Sequence, residues 1–295
     1  MSGSLHNASA QKTAILSMDV EDWYHLEYFR REQCNGNVSL LNGLDCYLKI
    51  LAEEQVPSSF FLLGELAEQT AKYFTQGEDV GVHGWAHRRP LSMTVEEFRQ
   101  DTDRSKKKIE DCLGRKVEGY RAPCYSLDRA RLDVLCESGF GYDSSRMDFA
   151  SHPLYGSLDM QGFDVVRPWV YKKKDFIEFE LSSLAFGRRK IPVSGGGYLR
   201  LLPWPLMKTM LERYLRRETF FVLYIHPFEL SNCPNPEMPC GTPWTTQMRF
   251  KLGRQAVAHR IRMLIALLRK HGFVFSTFSA VRQNMLLQQS VSGVS

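Results

Sequence analysis

Short apolar blocks alternate with stretches of helical periodicity along the first half of this chain. TAILSMDV (13–20), PSSFFLLG (57–64), DVGVHGWAH (79–87) and VEGYRAP (117–123) read as buried strands, the third with its exit loop. LNGLDCYLKILAEEQ (41–55), LAEQTAKYFTQ (66–76) and SLDRARLDVLCESG (126–139) carry helical spacing between and after them. Thr94 and Glu97 form a capping-box pattern that opens a helix to about Leu113, with Gly114 as its stop. The β-α-β-α order over some 140 residues predicts a parallel sheet or barrel with helices outside.

The second half is less regular. FDVVRPW, DFIEFEL and YLR read as short strands within 163–200, a region that also holds GRRKIPVSGGGY. PWPLMKTMLERYLRRE (203–218) and GRQAVAHRIRMLIALLRKHG (253–272) read as helices, and TFFVLYIH (219–226) and FVFSTF (273–278) as strands. The expected folded unit is one domain over 13–282, with disordered tails at 1–12 and 286–295.

Composition narrows the class. The chain has 295 residues, 43% of them hydrophobic, which fits a globular protein. No run of eighteen apolar residues is present, so no spanning helix is predicted. The polar N-terminus lacks the apolar core of a secretory signal, and seven cysteines lie scattered without a CxxC pair. Both features set the expectation of a cytoplasmic protein. The net charge of +5 is too mild for a nucleic-acid binder.

In parallel α/β proteins, function collects where strands end. Here the first strand ends on Asp19, Glu21 and Asp22, and the third on His83 with His87 four residues on. The fourth ends on Arg121, Pro123 and Tyr125, and the strand TFFVLYIH on His226. Three carboxylates at one strand mouth repel each other unless a cation lies among them. One carboxylate and two neutral imidazoles make three ligands for a divalent ion and leave a place for water. A second carboxylate then serves as base, and Asp19 is the natural candidate. HGWAH lacks the glutamate of the HExxH metalloproteases, since Gly84 stands in its place.

The ordered motifs resemble those of the polysaccharide deacetylases, the NodB-homology or carbohydrate esterase superfamily. SMDVEDW resembles the first motif, in a variant where DVED replaces TFDDG. SSFFLLGELAE, HGWAH, GYRAPCYSLD, YDSS (142–145) and LYIHPFEL resemble the motifs that follow. The segment IEFELSSL with IPVSGGGYLRLLP resembles a subgroup found in exopolysaccharide and O-antigen clusters. The resemblance covers about residues 13–280. It implies a distorted (β/α) barrel of about seven strands and a metal-dependent N-deacetylase.

The resemblance also implies roles. Asp19 is the general base, and His83 and His87 bind the metal, most often zinc. The third ligand is Glu21 or Asp22. Strand alternation places Glu21 on the side of Asp19, while Asp22 reaches if the chain turns at once. Arg121 orients Asp19. The backbone N–H of Tyr125 or its neighbour helps form the oxyanion hole, and His226 protonates the leaving amine. Glu178 and Arg167 are the candidates for a partner of His226.

Aromatic residues crowd the same rim: Trp23, Tyr24, Trp85, Tyr125, Trp169, Tyr198 and Phe228. They suit a sugar. The expected substrate is an N-acetylated sugar in a polysaccharide or in its nucleotide- or lipid-linked precursor. The basic face of PWPLMKTMLERYLRR can lie on a membrane or simply pack on the barrel. Two rivals are a hydrolase of a cyclic amide or formamido group and a non-catalytic carbohydrate-binding homologue.

Overall fold

Strand β1 (Thr13–Val20) has eight buried residues, because both of its faces are covered. Ala14, Leu16, Met18 and Val20 join the layer beneath the outer helices, while Ile15 points the other way into an inner aromatic core. Ser17 and Asp19 share that inner face, where both meet Arg121. The computed structural model describes residues 11–75, 77–148, 156–186 and 189–292.

The further strands are β2 (Ser59–Leu62), β3 (Asp79–Val82), β4 (Gly119–Tyr120), β5 (Tyr142–Asp143), β6 (Asp164–Arg167), β7 (Val170–Lys173), β8 (Phe176–Phe179), β9 (Ser183–Phe186), β10 (Arg189–Pro192), β11 (Phe220–Ile225) and β12 (Val274–Ser276). The helices are α1 (Gly43–Glu54), α2 (Ala67–Thr70), α3 (Val95–Leu113), α4 (Arg129–Glu137), α5 (Gly196–Leu201), α6 (Trp204–Leu215), α7 (Pro227–Leu230), α8 (Trp244–Lys251), α9 (Val257–Lys270) and α10 (Phe278–Ser292).

The main sheet runs β11-β1-β2-β3-β4-β5-β8-β7-β6, and β12 also pairs with β1. Every pairing from β11 to β8 is parallel, and β8-β7-β6 is an antiparallel extension. The sheet curls into a half-barrel with helices outside, the distorted (β/α)7-type architecture. The seam between β8 and β11 is closed by single hydrogen bonds. The Val222 N–H donates to Ser182 Oγ at 2.9 Å, and the Tyr224 N–H donates to the Ser194 carbonyl at 2.8 Å. Phe278, at the start of α10, plugs the interior against Phe61, Tyr142 and Phe179.

The capping box of α3 forms as expected: Glu97 N–H donates to Thr94 Oγ1 at 3.1 Å, and Thr94 N–H to Glu97 Oε2 at 2.7 Å. Other expectations change. YLR (198–200) is part of helix α5, not a strand. LAEQTAKYFTQ yields only the four-residue α2 between two 3₁₀ turns, and Gln76 lies outside the described residues. Helix α6 turns Met207, Leu211, Tyr214 and Leu215 into the core, so its apolar face is used for packing. Next to the termini, the Lys12 carbonyl accepts from Val274 N–H at 2.9 Å, and α10 extends to Ser292. Residues 1–10 and 293–295 lie outside the described residues.

Candidate metal centre and active site

Glu21 leaves β1 on the same side as Asp19, and its N–H donates to the Asp19 carbonyl at 3.0 Å. That tight bend keeps Glu21 buried beside the exit of β3. The loop HGWAH then doubles back through two left-handed residues, Gly84 (φ +78°) and His87 (φ +62°). A positive φ is ordinary for glycine and strained for histidine. The loop is pinned by the Trp85 N–H, which donates to Asp101 Oδ2 at 3.0 Å. The curl leaves the rings of His83 and His87 5.2 Å apart.

One ligand atom each from Glu21, His83 and His87 falls within a 4.8 Å cluster, and all three residues are buried. Glu21 Oε2 lies 2.8 Å from His87 Nε2, yet it makes no aligned hydrogen bond. Two donor atoms that approach without bonding each other suit ligands of one ion. His83 Nδ1 lies 2.7 Å from the Arg121 carbonyl. A carbonyl only accepts, so Nδ1 carries the proton and Nε2 keeps its lone pair for a metal. Burial drives the His83 imidazole down to about 4, against the pull of the Asp19 carboxylate. Burial alone would raise the Glu21 carboxyl, but His87, then His226 and His83, bring it down to about 2. A neutral imidazole and an ionised carboxylate are the forms a divalent cation requires. The residues therefore fit a catalytic ion with three protein ligands.

Asp22 does not join this group. Its Oδ1 accepts from the N–H groups of Trp23 and Leu40, each at 2.8 Å, so it caps the turn after β1. Of the two carboxylates left open by the sequence, Glu21 faces the histidines and Asp22 faces the backbone.

Asp19 sits on the other side of the cluster. Arg121 Nη1 donates to Asp19 Oδ1 and to Ser17 Oγ, both at 2.8 Å, and the guanidinium is fully buried. Its Nε donates to the Ser144 carbonyl and its Nη2 to Ser144 Oγ, each at 3.1 Å, and it lies 4.2 Å over the Phe61 ring. Each of the three Arg121 nitrogens thus has a partner, and Asp19 is held with it. The YDSS segment supplies this support. Ser145 Oγ accepts from the Ala122 N–H at 2.8 Å and donates to Asp143 Oδ1 at 2.6 Å.

Beneath the serines lies a carboxyl pair. Asp143 on β5 faces Glu178 on β8 in register, and both are fully buried. Glu178 Oε1 accepts from the N–H groups of Ser145 and Arg146, at 3.0 and 2.8 Å. Burial raises Asp143 to about 6 and raises Glu178 well above the usual range, with the charge of Asp143 adding to the latter. Burial and the like charge of Asp143 thus favour a proton on Glu178. Glu178 is therefore a support beneath Arg121 rather than a partner of His226. Arg167 is also elsewhere, donating to the Thr219 carbonyl at 2.7 Å.

The partner of His226 is Glu229, three residues on. Glu229 Oε2 accepts from the His226 N–H at 3.1 Å and lies 3.4 Å from His226 Nδ1. Arg200 holds the other oxygen of Glu229 at 3.3 Å. His226 Nε2 lies 3.4 Å from Glu21 Oε1, which puts this imidazole on the rim of the ligand cluster. Burial disfavours the charged ring, but Glu229 and then Glu21 raise His226 to about 9. The sequence held a signal for Glu229, since HPFE has the spacing of a capping box.

Tyr125 is also placed differently from expectation. Its N–H donates to the Ala122 carbonyl at 2.9 Å within a 3₁₀ turn, so that amide is already used. Its hydroxyl instead approaches Asp19 Oδ2 at 3.5 Å. Its neighbour Cys124 (φ +54°) brings its sulfur within 4.8 Å of ligand atoms of His87 and Glu27.

The aromatic residues divide. Trp23 is fully buried and donates to the Val38 carbonyl, and Trp85 is stacked by Arg104 at 3.4 Å. Trp169 donates to Glu218. Tyr198 and Phe228, joined by Tyr28 and Tyr224, line a cavity of about 280 Å³ that reaches His226. A larger cavity of about 780 Å³ lies elsewhere, lined by Gln55, Asp79, Arg115, Glu118 and Gln283, and includes none of the histidines.

Residues 42–142 match the family model "Polysaccharide deacetylase". Over about a third of its length the chain is thus similar to the polysaccharide deacetylases. Residues 144–282 match a second model, a domain of unknown function (DUF3473). The peptidoglycan deacetylase of Helicobacter pylori is 29% identical over 117 residues, 38% of this chain and 40% of that protein. The chain spans about a third to two fifths of the length of the curated relatives it matches. Among solved structures, a provisionally assigned polysaccharide deacetylase from Mycobacterium smegmatis superimposes with a TM-score of 0.59 at 18% identity, over 95% of this chain and 93% of that one. A CE4 family pseudoenzyme from Bacillus anthracis superimposes at 0.52 and 12% identity, over 92% of this chain and 66% of that one. At these identities the two structures bear on the fold alone.

Proposed function

We propose that this protein is a metal-dependent N-deacetylase that removes the acetyl group from an amino sugar of a polysaccharide or of its nucleotide- or lipid-linked precursor. The observation that carries the reading is the grouping of Glu21, His83 and His87 between an Arg121-held Asp19 and a Glu229-held His226. Glu21, His83 and His87 would hold the ion, zinc by the character of its donors. Such an ion, when bound, supplies Lewis-acid polarisation and a more acidic water.

The chain's own groups do the rest. Asp19, aimed by Arg121, takes the proton of the attacking water. The acetyl carbonyl becomes tetrahedral, and the amide of Cys124 is our candidate donor to its oxygen now that the Tyr125 amide is occupied. His226, steadied by Glu229, gives a proton to the departing amine. Acetate and a free amino sugar result. The pseudoenzyme among the structural relatives raises the non-catalytic alternative; the full set of base, acid and ligand side chains supports catalysis instead. The rim of the His226 cavity carries exposed Tyr28 and Leu201, which favours a glycan over a small enclosed amide. A cytoplasmic setting belongs to the same proposal, supported by seven cysteines that are all unpaired.

Acetate release from a panel of N-acetylhexosamine glycans and glycosyl phosphates, with zinc supplied, tests the proposal. Release by the wild type, slowed ~10²–10⁴-fold in Asp19→Asn, is expected. A wild type that stays zinc-loaded yet frees no acetate from any of them would overturn it.

A further inference from the structure

The cavity beside His226 is built from three separate parts of the chain. Tyr28 comes from the loop after β1, Gly197, Tyr198 and Arg200 from α5, and Arg249 from α8. Its floor is His226, Phe228 and Glu229. At about 280 Å³ it is near the lower end of ~300–1,000 Å³, the usual range for small-ligand sites. Space has been kept open there. A Cβ at Gly195 or Gly196 would strike Tyr224 or Glu229, so those glycines serve packing, whereas a Cβ at Gly197 meets nothing within 4 Å.

The charges around this cavity are unequal. Glu229, the acid in its wall, is already engaged by His226 and Arg200. Arg200 also donates to the carbonyls of Arg249, Phe250 and Leu252. Arg249 differs: among the described residues its guanidinium has no carboxylate within ion-pair distance. It lies 4.9 Å over the Tyr28 ring, which orders the planar group while leaving its donors free. A stacked, unpaired guanidinium on a cavity wall offers a ready fork for a phosphate or carboxylate.

We propose that this cavity is an anion-selecting sugar subsite, in which Arg249 pairs with a phosphate or carboxylate carried by the N-acetylated substrate and Tyr28, Tyr198 and Phe228 wall the sugar. The inference deepens the deacetylase reading and rests on it for the identity of the sugar. It names the substrate class as acidic: a glycosyl phosphate, a nucleoside diphosphate sugar or a uronate-bearing glycan. Arg249 is a specificity residue here, remote from the bond that breaks.

The test separates binding from turnover by using zinc-loaded Asp19→Asn, which retains its folded site but does not consume ligand. Calorimetry with N-acetylglucosamine 1-phosphate and with the neutral methyl glycoside of N-acetylglucosamine gives the preference for charge. A charge-assisted contact is worth enough to make the phosphate bind ~10–100-fold tighter. Adding Arg249→Gln should erase that preference, and Arg249→Lys should restore part of it. Repeating the titrations with a nucleoside diphosphate N-acetylglucosamine and with a uronate-containing disaccharide identifies the source of the charge by which ligand depends most on Arg249. Equal affinity for charged and neutral sugars, or a preference that survives Arg249→Gln, would overturn the subsite. Acetate release by the wild type from neutral sugars, with no such preference, would leave the deacetylase intact and sink only the subsite. Arg249-dependent binding without any acetate release would do the reverse.

Discussion

The two sides of this site are built in opposite ways. The side of Asp19, Glu21, His83 and Arg121 is almost wholly buried, and Arg121 is held from several directions. The side of Tyr28, Tyr198 and Arg249 is half open, and its groups come from short helices and a loop. Chemistry needs atoms fixed to within a fraction of an ångström, so it sits on strand ends with a second layer of support. Recognition tolerates looser walls and can vary without disturbing the barrel.

Substitutions on the buried side should therefore have the larger effects. Asp19→Asn should retain the metal and lower deacetylation by ~10²–10⁴-fold, the usual share of a general base, as measured by acetate release. Arg121→Ala removes one partner of a fully buried ion pair, and urea unfolding should show a loss of about 3–5 kcal/mol. A loss no larger than that of a surface substitution would show that Asp19 is positioned by something else. Glu229→Gln should lower kcat by up to ~100-fold through misorientation of His226, and should also lower Tm because it leaves buried Arg200 without its carboxylate. An unchanged kcat would mean that the 3.4 Å contact does not position the ring.

A smaller effect concerns pH and the carboxyl pair. Asp143 is raised from 3.8 to about 6 in the folded chain, and Glu178 is raised as well. The folded state then binds protons that the unfolded chain has released, so stability is present at low pH and falls as pH rises from about 4 through 6. Glu178→Gln keeps an amide that can donate to Asp143 and removes the like charge, so the decline of Tm over that window should flatten. A Glu178→Gln protein whose Tm changes with pH just as the wild type's does would contradict this role of the carboxyl pair.

The same contrast explains what the sequence made legible. Alternation along TAILSMDV was enough to set Asp19 and Glu21 on one face, and HxxxH at a strand exit marked the imidazoles. The difference between Glu21 and Asp22 depended on a one-residue bend, in which Asp22 turns back to cap the Trp23 and Leu40 amides. RAPCYS does not tell the amide of Tyr125 from that of its neighbour, because the 3₁₀ turn that uses the Tyr125 amide is invisible in it. YLR was read as a strand, yet three preceding glycines let the chain enter α5 close against Glu229 and Tyr224. Helix α8 has weak amphipathic patterning, so nothing in 231–252 announced Arg249 as a wall of the cavity. Long-range partners such as Glu178, 35 positions after Asp143, become visible only when β5 and β8 pair.

The most direct test of the central claim is metal analysis of the purified protein beside His83→Ala after incubation with zinc and removal of the excess. About one divalent ion per wild-type chain, lost in His83→Ala, is the predicted result. An ion-free wild type, or an ion retained in full by His83→Ala, would contradict the assignment of Glu21, His83 and His87 as its ligands.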